Sequence, residues 1–144
     1  MLATDPQAEG RLQAWWALEL VAEKNLAILL PRLGELVHAM EGLKIDGAIR
    51  SASRICMLYC QTCPGDLPPR MTLQLRDLCL EWLVGDHKVA ARAYAARALF
   101  ELSQGDPQLR GVLREILEQD YPRYSSAYKA MARDLISRIR SGKG

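Results

Sequence analysis

Residues 86–119 constrain the fold most, because they hold two amphipathic segments joined by the turn Gly105-Asp106-Pro107. Glycine commonly ends a helix, aspartate caps the next one, and proline fits the first helical turn. One helix pair cannot bury the apolar stripes of both its helices, so the rest of the chain must supply neighbouring pairs. The sequence therefore predicts an all-α fold of stacked helix pairs.

Seven predicted helices account for nearly all of the 144 residues, which suffice for one domain with its own core. Prolines, glycines and capping residues set the helix boundaries, and no segment alternates as a half-buried strand would. Asp5, Asp86 and Asp106 are the predicted caps of the first, fifth and sixth helices. The predicted helices are about 5–24, 31–40, 46–60, 69–84, two within 86–119, and 125–140.

The second helix of each pair carries a repeated pattern, first seen as Leu33-Gly34-Glu35-Leu36-Val37. Equivalent segments lie at 75–79 and 113–117, at intervals of 42 and 38 residues. The first helices align in the same register through a core position. That position is occupied by Leu18, Cys56, Leu99 and Leu135.

A two-helix unit that recurs about every 40 residues resembles the HEAT and armadillo repeats. The resemblance covers essentially the whole chain and implies a right-handed α-α superhelix, a short HEAT-like solenoid. It implies one domain over 1–144, with repeats at about 5–42, 43–85 and 86–120 and a capping helix at 121–141.

A ladder of ion pairs is predicted from the same register. Arginine stands two residues before the aligned core position in three of the four first helices, and an acid precedes it by 18 to 20 residues. We expect each acid to pair with the arginine of the next unit, as in similar HEAT proteins. The alternative is that these are solvated charges aligned by chance. The predicted pairs are Glu35–Arg54, Asp77–Arg97 and Glu115–Arg133.

Cys56, Cys60 and Cys63 have the spacing of the iron–sulfur ligands in radical enzymes that use S-adenosylmethionine. That family holds its cluster in a large α/β barrel, whereas Cys56 here aligns with core leucines, and Cys79 aligns with the apolar Val37 and Leu117. Cysteine as a small buried apolar residue is the favoured interpretation for Cys56 and Cys79. We therefore expect no metal and no cofactor.

The sequence contains none of the common catalytic motifs, so it offers no candidate catalytic residues. The sequence has no P-loop, dinucleotide fingerprint, nucleophile elbow or zinc-protease motif, and His38 and His87 are interpreted as surface histidines. Short helical-repeat chains similar to this one have been described as adenylosuccinate lyases. The catalytic loop of that family has serines followed by Met-Pro-x-Lys, whereas Ala127-Tyr128 follows Ser125-Ser126 here. No catalytic position is carried over, and we expect a protein that is not an enzyme.

The favoured function is a protein-interaction scaffold, because stacked helix pairs form an extended surface lined by the second helices. Either Trp15 or Trp16 could be a binding anchor or could cap the open end of the core, because adjacent helical side chains point about 100° apart. The partner-surface candidates are Arg32, Arg70, Gln74, Arg110, Arg114 and Trp15.

Nucleic-acid binding is the alternative function, since some HEAT-like proteins, among them a class of alkylpurine DNA glycosylases, hold a duplex against a basic concave face. The net charge of +2 supports this weakly. Bases on the second helices also alternate with acids, which repel phosphate, so any nucleic-acid binding should be weak. The acids in question are Glu35, Asp77, Glu81, Glu115 and Glu118.

A cytoplasmic location is expected. The first residues lack the basic start and apolar segment of a secretory signal, and the apolar run at 26–30 is too short to cross a bilayer. Four cysteines in such a chain are expected to be reduced thiols.

Overall fold

The computed structural model describes residues 6–63, 67–120 and 124–142. Helices make up 84% of the structure, and the described residues contain no strand. The predicted all-α fold with seven helices is confirmed. The helices are α1 (Pro6–Asn25), α2 (Leu33–Met40), α3 (Asp46–Thr62), α4 (Pro69–Val84), α5 (Val89–Leu102), α6 (Pro107–Asp120) and α7 (Ser126–Arg140).

Two of the predicted caps can be compared with the structure, while Asp5 lies outside the described residues. The Asp106 carboxylate accepts the backbone N–H of Leu109 at 3.1 Å, so the predicted cap of α6 is confirmed. The predicted Asp86 cap is wrong, because α5 begins at Val89 and Lys88 occupies the capping position. The second predicted helix also begins differently, since 3₁₀ turns at Leu26–Ile28 and Leu30–Arg32 precede α2.

The odd-numbered helices form a row. Helix α1 packs on α3, α3 on α5, and α5 on α7, with α3 and α5 in the most extensive contact. Beside this row α2 packs on α4, α4 on α5, and α6 on α7. The ends of the row are therefore α1 and α7.

The repeated pattern predicted the core positions of the second helices correctly. The first and last members of each five-residue pattern are buried in all three copies. Among the first helices, the aligned position is buried in α3, α5 and α7 and half-buried in α1, where it is Leu18. The buried members on α2, α4 and α6 are Leu33, Val37, Leu75, Cys79, Leu113 and Leu117.

The predicted ladder is wrong at its first rung. Arg54 donates to Glu19 and Glu23 of α1, each at 3.1 Å, while Glu35 pairs with Arg32 at 3.5 Å. At this junction the acids that pair with Arg54 therefore come from α1 and not from α2.

The second rung is also wrong. Asp77 pairs with its neighbour Arg76 at 3.0 Å, and no ion pair joins Asp77 to Arg97 in the described part of the chain. The third rung, Glu115–Arg133, stays a prediction.

Glu19 is the centre of the contact between α1 and α3, and its side chain is 8% exposed. Arg50 donates to it at 2.9 Å, Arg54 at 3.1 Å, and the Ser51 hydroxyl at 2.8 Å. Burial by itself would raise the pKa of Glu19, but the hydrogen bonds from Ser51 and Arg54 and the charge of Arg50 together lower it below its ordinary value. The ionised form of Glu19 therefore stabilises the docking of α1.

Replacing Glu19 with glutamine should destabilise the fold by about 2 kcal/mol at neutral pH, because Arg50 and Arg54 lose their shared acceptor. A folded-state pKa below the unfolded one gives stability that is present above the unfolded pKa and is lost as pH falls through the folded pKa. The wild-type protein should therefore lose more stability than Glu19→Gln in acid. Urea denaturation at pH 7 and near pH 4 measures both effects.

Glu23→Gln is the matched control, because Glu23 also bonds to Arg54 but is 50% exposed. Its cost should stay below about 1 kcal/mol. Equal losses in the two variants would contradict a special role for Glu19.

Arg92 connects the end of α4 to the start of α5. Its side chain is charged but buried, with 8% exposed. Its guanidinium donates to the backbone carbonyls of Leu83 and His87, both at 3.0 Å, and of Gly85. The guanidinium carbon also lies 5.0 Å from the centre of the Tyr124 ring. One side chain thus satisfies carbonyls that the end of a helix leaves without partners.

Arg92→Ala should cost at least about 2 kcal/mol of unfolding free energy, because it leaves buried carbonyls without donors. Arg92→Lys should recover part of this loss, since an ammonium group keeps the charge but lacks the planar fork. Thermal and urea unfolding of the two variants give the comparison. An alanine variant within about 0.5 kcal/mol of wild type would contradict this role.

Candidate functional site

An open groove of about 270 Å³ lies between the second helices α4 and α6. Val112 in its lining is 41% exposed, and Leu73, outside the lining but on the same face of α4 as Leu80, is 50% exposed. Seven residues separate Leu73 from Leu80, which is close to two helical turns. The groove is lined by Arg76, Asp77, Leu80, Asp106, Gln108, Leu109 and Val112.

The charged groups of the α4/α6 groove have partners inside the protein. Arg76 donates to Asp77 through Nε at 3.1 Å and Nη2 at 3.0 Å. Asp106 accepts the N–H of Leu109 at the start of α6. The groove therefore offers apolar contacts and the amide of Gln108, with a rim of locally compensated charge.

The polar partner-surface candidates lie outside the α4/α6 groove. Arg32 and Arg70 are exposed and Gln74 is half-buried. Arg110 stacks on Phe100, with 4.9 Å from its guanidinium carbon to the ring centre.

Arg110 Nε also donates to the Ser103 hydroxyl at 3.2 Å. Arg114 pairs with Glu118 at 2.9 Å. These two arginines lie on the side of α6 that faces α7, whereas Gln108 and Val112 lie on the groove side. The sequence pattern predicts a partner surface on the second helices. The predicted residues there are arginines, whereas the structure exposes the apolar Val112 between Arg110 and Arg114.

Trp15 is 6% exposed and belongs to the core, so its assignment to the partner surface is wrong. Trp16 is 46% exposed. Neighbouring helical residues differ in direction by about 100°, and α1 buries the stripe that contains Trp15, Glu19 and Ala22. Trp16 is therefore the accessible indole at this end of the molecule.

A second groove, of about 640 Å³, lies between α6 and α7. Arg140 reaches across it to Glu118 at 3.2 Å. Arg133, Ser137 and Arg140 follow one face of α7 at helical spacing. The groove is lined by Glu118, Arg133, Ile136, Ser137, Arg140 and Ser141.

Cys56, Cys60 and Cys79 are buried, and Cys63 is half-buried. The prediction that Cys56 and Cys79 are core residues is confirmed, and the Cys56 thiol contacts the Met40 sulfur at 3.5 Å. Burial raises the pKa of Cys60, and a hydrogen bond with Cys56 together with burial raises the pKa of Cys79. Within the described ranges, no group of three or more potential ligands is placed to hold a metal ion.

We expect one cysteine per native chain to react readily with a disulfide reagent such as Ellman's reagent, because thiolate formation requires access to water. Cys63 should be that residue, and the other three should react when denaturant is added. Cys63→Ser should remove the fast phase and leave the slow one. Two or more fast-reacting thiols in the native protein would contradict this assignment.

Glu101 and Tyr128 also have shifted pKa values, and neither lines a groove. Burial raises the pKa of Glu101, although the charges of Arg138 and Arg110 act in the opposite direction. Burial also raises the pKa of Tyr128 to about 12. His38 lies on the surface, where its ring nitrogen is 3.4 Å from Glu41. The pKa shifts of Glu101 and Tyr128 follow from their burial in the fold.

The packed helices and their open grooves define an all-α protein with surface grooves between neighbouring helices. Comparisons with models of protein families, with curated proteins and with solved structures find no match to the chain. None of the helices in the described ranges has the length and apolarity needed to span a bilayer.

Proposed function

We propose that this protein is a non-enzymatic interaction module, a HEAT-like solenoid whose α4/α6 groove binds an extended segment of a partner protein. The observation that carries the proposal is the exposed Val112 in a groove whose charged side chains already have hydrogen-bond partners inside the protein. The right-handed superhelix and the HEAT type of the repeats are part of the proposal. They are supported by the repeat interval and by the buried positions that recur on α2, α4 and α6.

An apolar segment with a polar backbone is the ligand that suits this groove. Leu80, Leu109 and Val112 offer contacts to one or two apolar side chains, and Gln108 can donate to or accept from a peptide group. Binding sites for short segments commonly combine apolar pockets with a few polar groups that fix orientation.

Charge favours a protein over a nucleic acid as the partner. The α4/α6 groove carries one base and two acids. Several arginines elsewhere on the surface are paired with carboxylates, and a bound phosphate would have to compete with those partners. These arginines are Arg32, Arg114, Arg138 and Arg140.

We further propose a cytoplasmic location with reduced thiols. The support is the burial of Cys56, Cys60 and Cys79 as free cysteines, which suits a reducing compartment.

Val112→Glu should abolish capture of the partner, because it places a further negative charge in the groove that Asp77 and Asp106 also line. The test is affinity capture from native lysate with quantitative mass spectrometry, comparing wild type with the variant. Val84→Glu is the matched control, since Val84 is 59% exposed on α4 and does not line the groove. A protein lost with Val112→Glu and kept with Val84→Glu is the expected result.

Equal capture by all three proteins would contradict the groove as the binding site. Fluorescence anisotropy with labelled oligonucleotides at about 150 mM salt tests the alternative, because non-specific binding is then typically about 10⁻⁴ to 10⁻⁶ M. Submicromolar binding that discriminates between sequences would favour a nucleic-acid partner.

A further inference from the structure

Helix α1 exposes two large apolar side chains on one face. Trp16 is 46% and Leu20 is 56% exposed, and a spacing of four residues places them one above the other. Isolated apolar residues are ordinary on a protein surface, but adjacent large ones commonly mark an interaction site. This pair lies on the helix that begins the row of odd-numbered helices.

The two ends of the row differ in character. Stacked repeats normally end in helices with a polar outer face, which keeps the protein soluble. Helix α7 has such a face, because its exposed residues are small or polar, among them Ala130, Asp134 and Ser137. Helix α1 lacks one, since Trp16 and Leu20 remain in solvent.

The α6/α7 groove can receive these apolar side chains. Its volume of about 640 Å³ lies in the range of pockets that bind small organic molecules. An indole ring is smaller than such molecules, so the groove has room for it. Ile136 contributes an apolar surface to the groove, and Arg133 and Arg140 lie one to each side of Ser137 along α7. Planar guanidinium groups also stack favourably on an indole face.

Charge is complementary between the two ends. Helix α1 carries three acids and two bases, and α7 carries four bases and one acid. Glu9 and Glu23 are exposed on the same side of α1 as Trp16 and Leu20, because they lie seven residues either side of Trp16. The apolar pair is thus flanked by acids, while the groove lining holds two arginines against one acid, Glu118, which pairs with Arg140.

We propose that the occupant of the α6/α7 groove is a second copy of this chain, which inserts Trp16 and Leu20 from its α1. The second copy continues the row, so that α7 of one chain is followed by α1 of the next. This interface uses different surfaces on the two chains, and each added chain leaves a new groove free. The association therefore grows beyond a dimer, and its small area makes it weak and dependent on concentration.

Sedimentation velocity of the full chain, from about 5 to 500 μM, tests the proposal. The average mass should rise with concentration past twice that of one chain, in the manner of an open association. Trp16→Glu and Ser137→Tyr should each weaken self-association by at least about tenfold, the first by charging the inserted face and the second by filling the groove. Val84→Glu, on the exposed surface of α4 and outside both grooves, is the control and should leave self-association unchanged.

Mixing the two interface variants gives the sharpest result. The Trp16→Glu chain keeps an intact groove and the Ser137→Tyr chain keeps an intact α1 face, so the mixture should form a one-to-one dimer and nothing larger. Circular dichroism establishes that both variants are folded. Leu20→Glu provides a second disruption of the same face if Trp16→Glu unfolds.

Three outcomes would overturn the proposal. Wild type could remain monomeric up to 500 μM. Ser137→Tyr could self-associate as wild type does, which would indicate that α1 faces meet each other. The two variants could also fail to form a dimer in the mixture, which would show that the α1 face does not bind the α6/α7 groove.

Discussion

Small side chains where α3 and α5 meet allow the rest of the structure to form. These two helices make the most extensive contact in the protein and lie in the middle of the row. Many of their buried residues are small, which allows helix backbones to approach closely. The small buried residues are Ala48, Ala52 and Ser53 on α3, with Ser51 directed to Glu19 of α1, and Ala91, Ala95, Ala96 and Ala98 on α5.

The buried charged residues near this contact, Glu19 and Arg92, have partners on adjoining segments. Glu19 joins α1 to α3 through Arg50, Ser51 and Arg54, and Arg92 joins α5 to the end of α4. A buried charge without partners would cost several kcal/mol, so these groups also select the relative placement of the helices they connect. The apolar residues bring the helices together, and the buried charges fix how they meet.

Local patterns in the sequence predicted the helices and much of the core, because helix ends and apolar spacing are short-range properties. Leu33, Leu75 and Leu113 are buried as their shared pattern indicates. The predicted partner of Arg54 is wrong because the repeat register assigns it Glu35 of α2. The partner lies 35 residues away on α1, where Glu19 stands in a stripe otherwise typical of core residues. The sequence signal for this pairing is an acid, Glu19, at helical spacing between the apolar residues Trp15 and Ala22.

Compensation of charge also explains why the candidate surface could not be found from basic residues. The net charge of +2 suggests free arginines, but the ion pairs of Arg76 and Arg114 are made with acids on their own helices. A partner that approaches α4 and α6 meets these compensated charges and the apolar Val112 between them. Desolvating Val112 is favourable, whereas separating an existing ion pair is not. The residues that favour binding are therefore the apolar ones, and the charges around them restrict which partners fit.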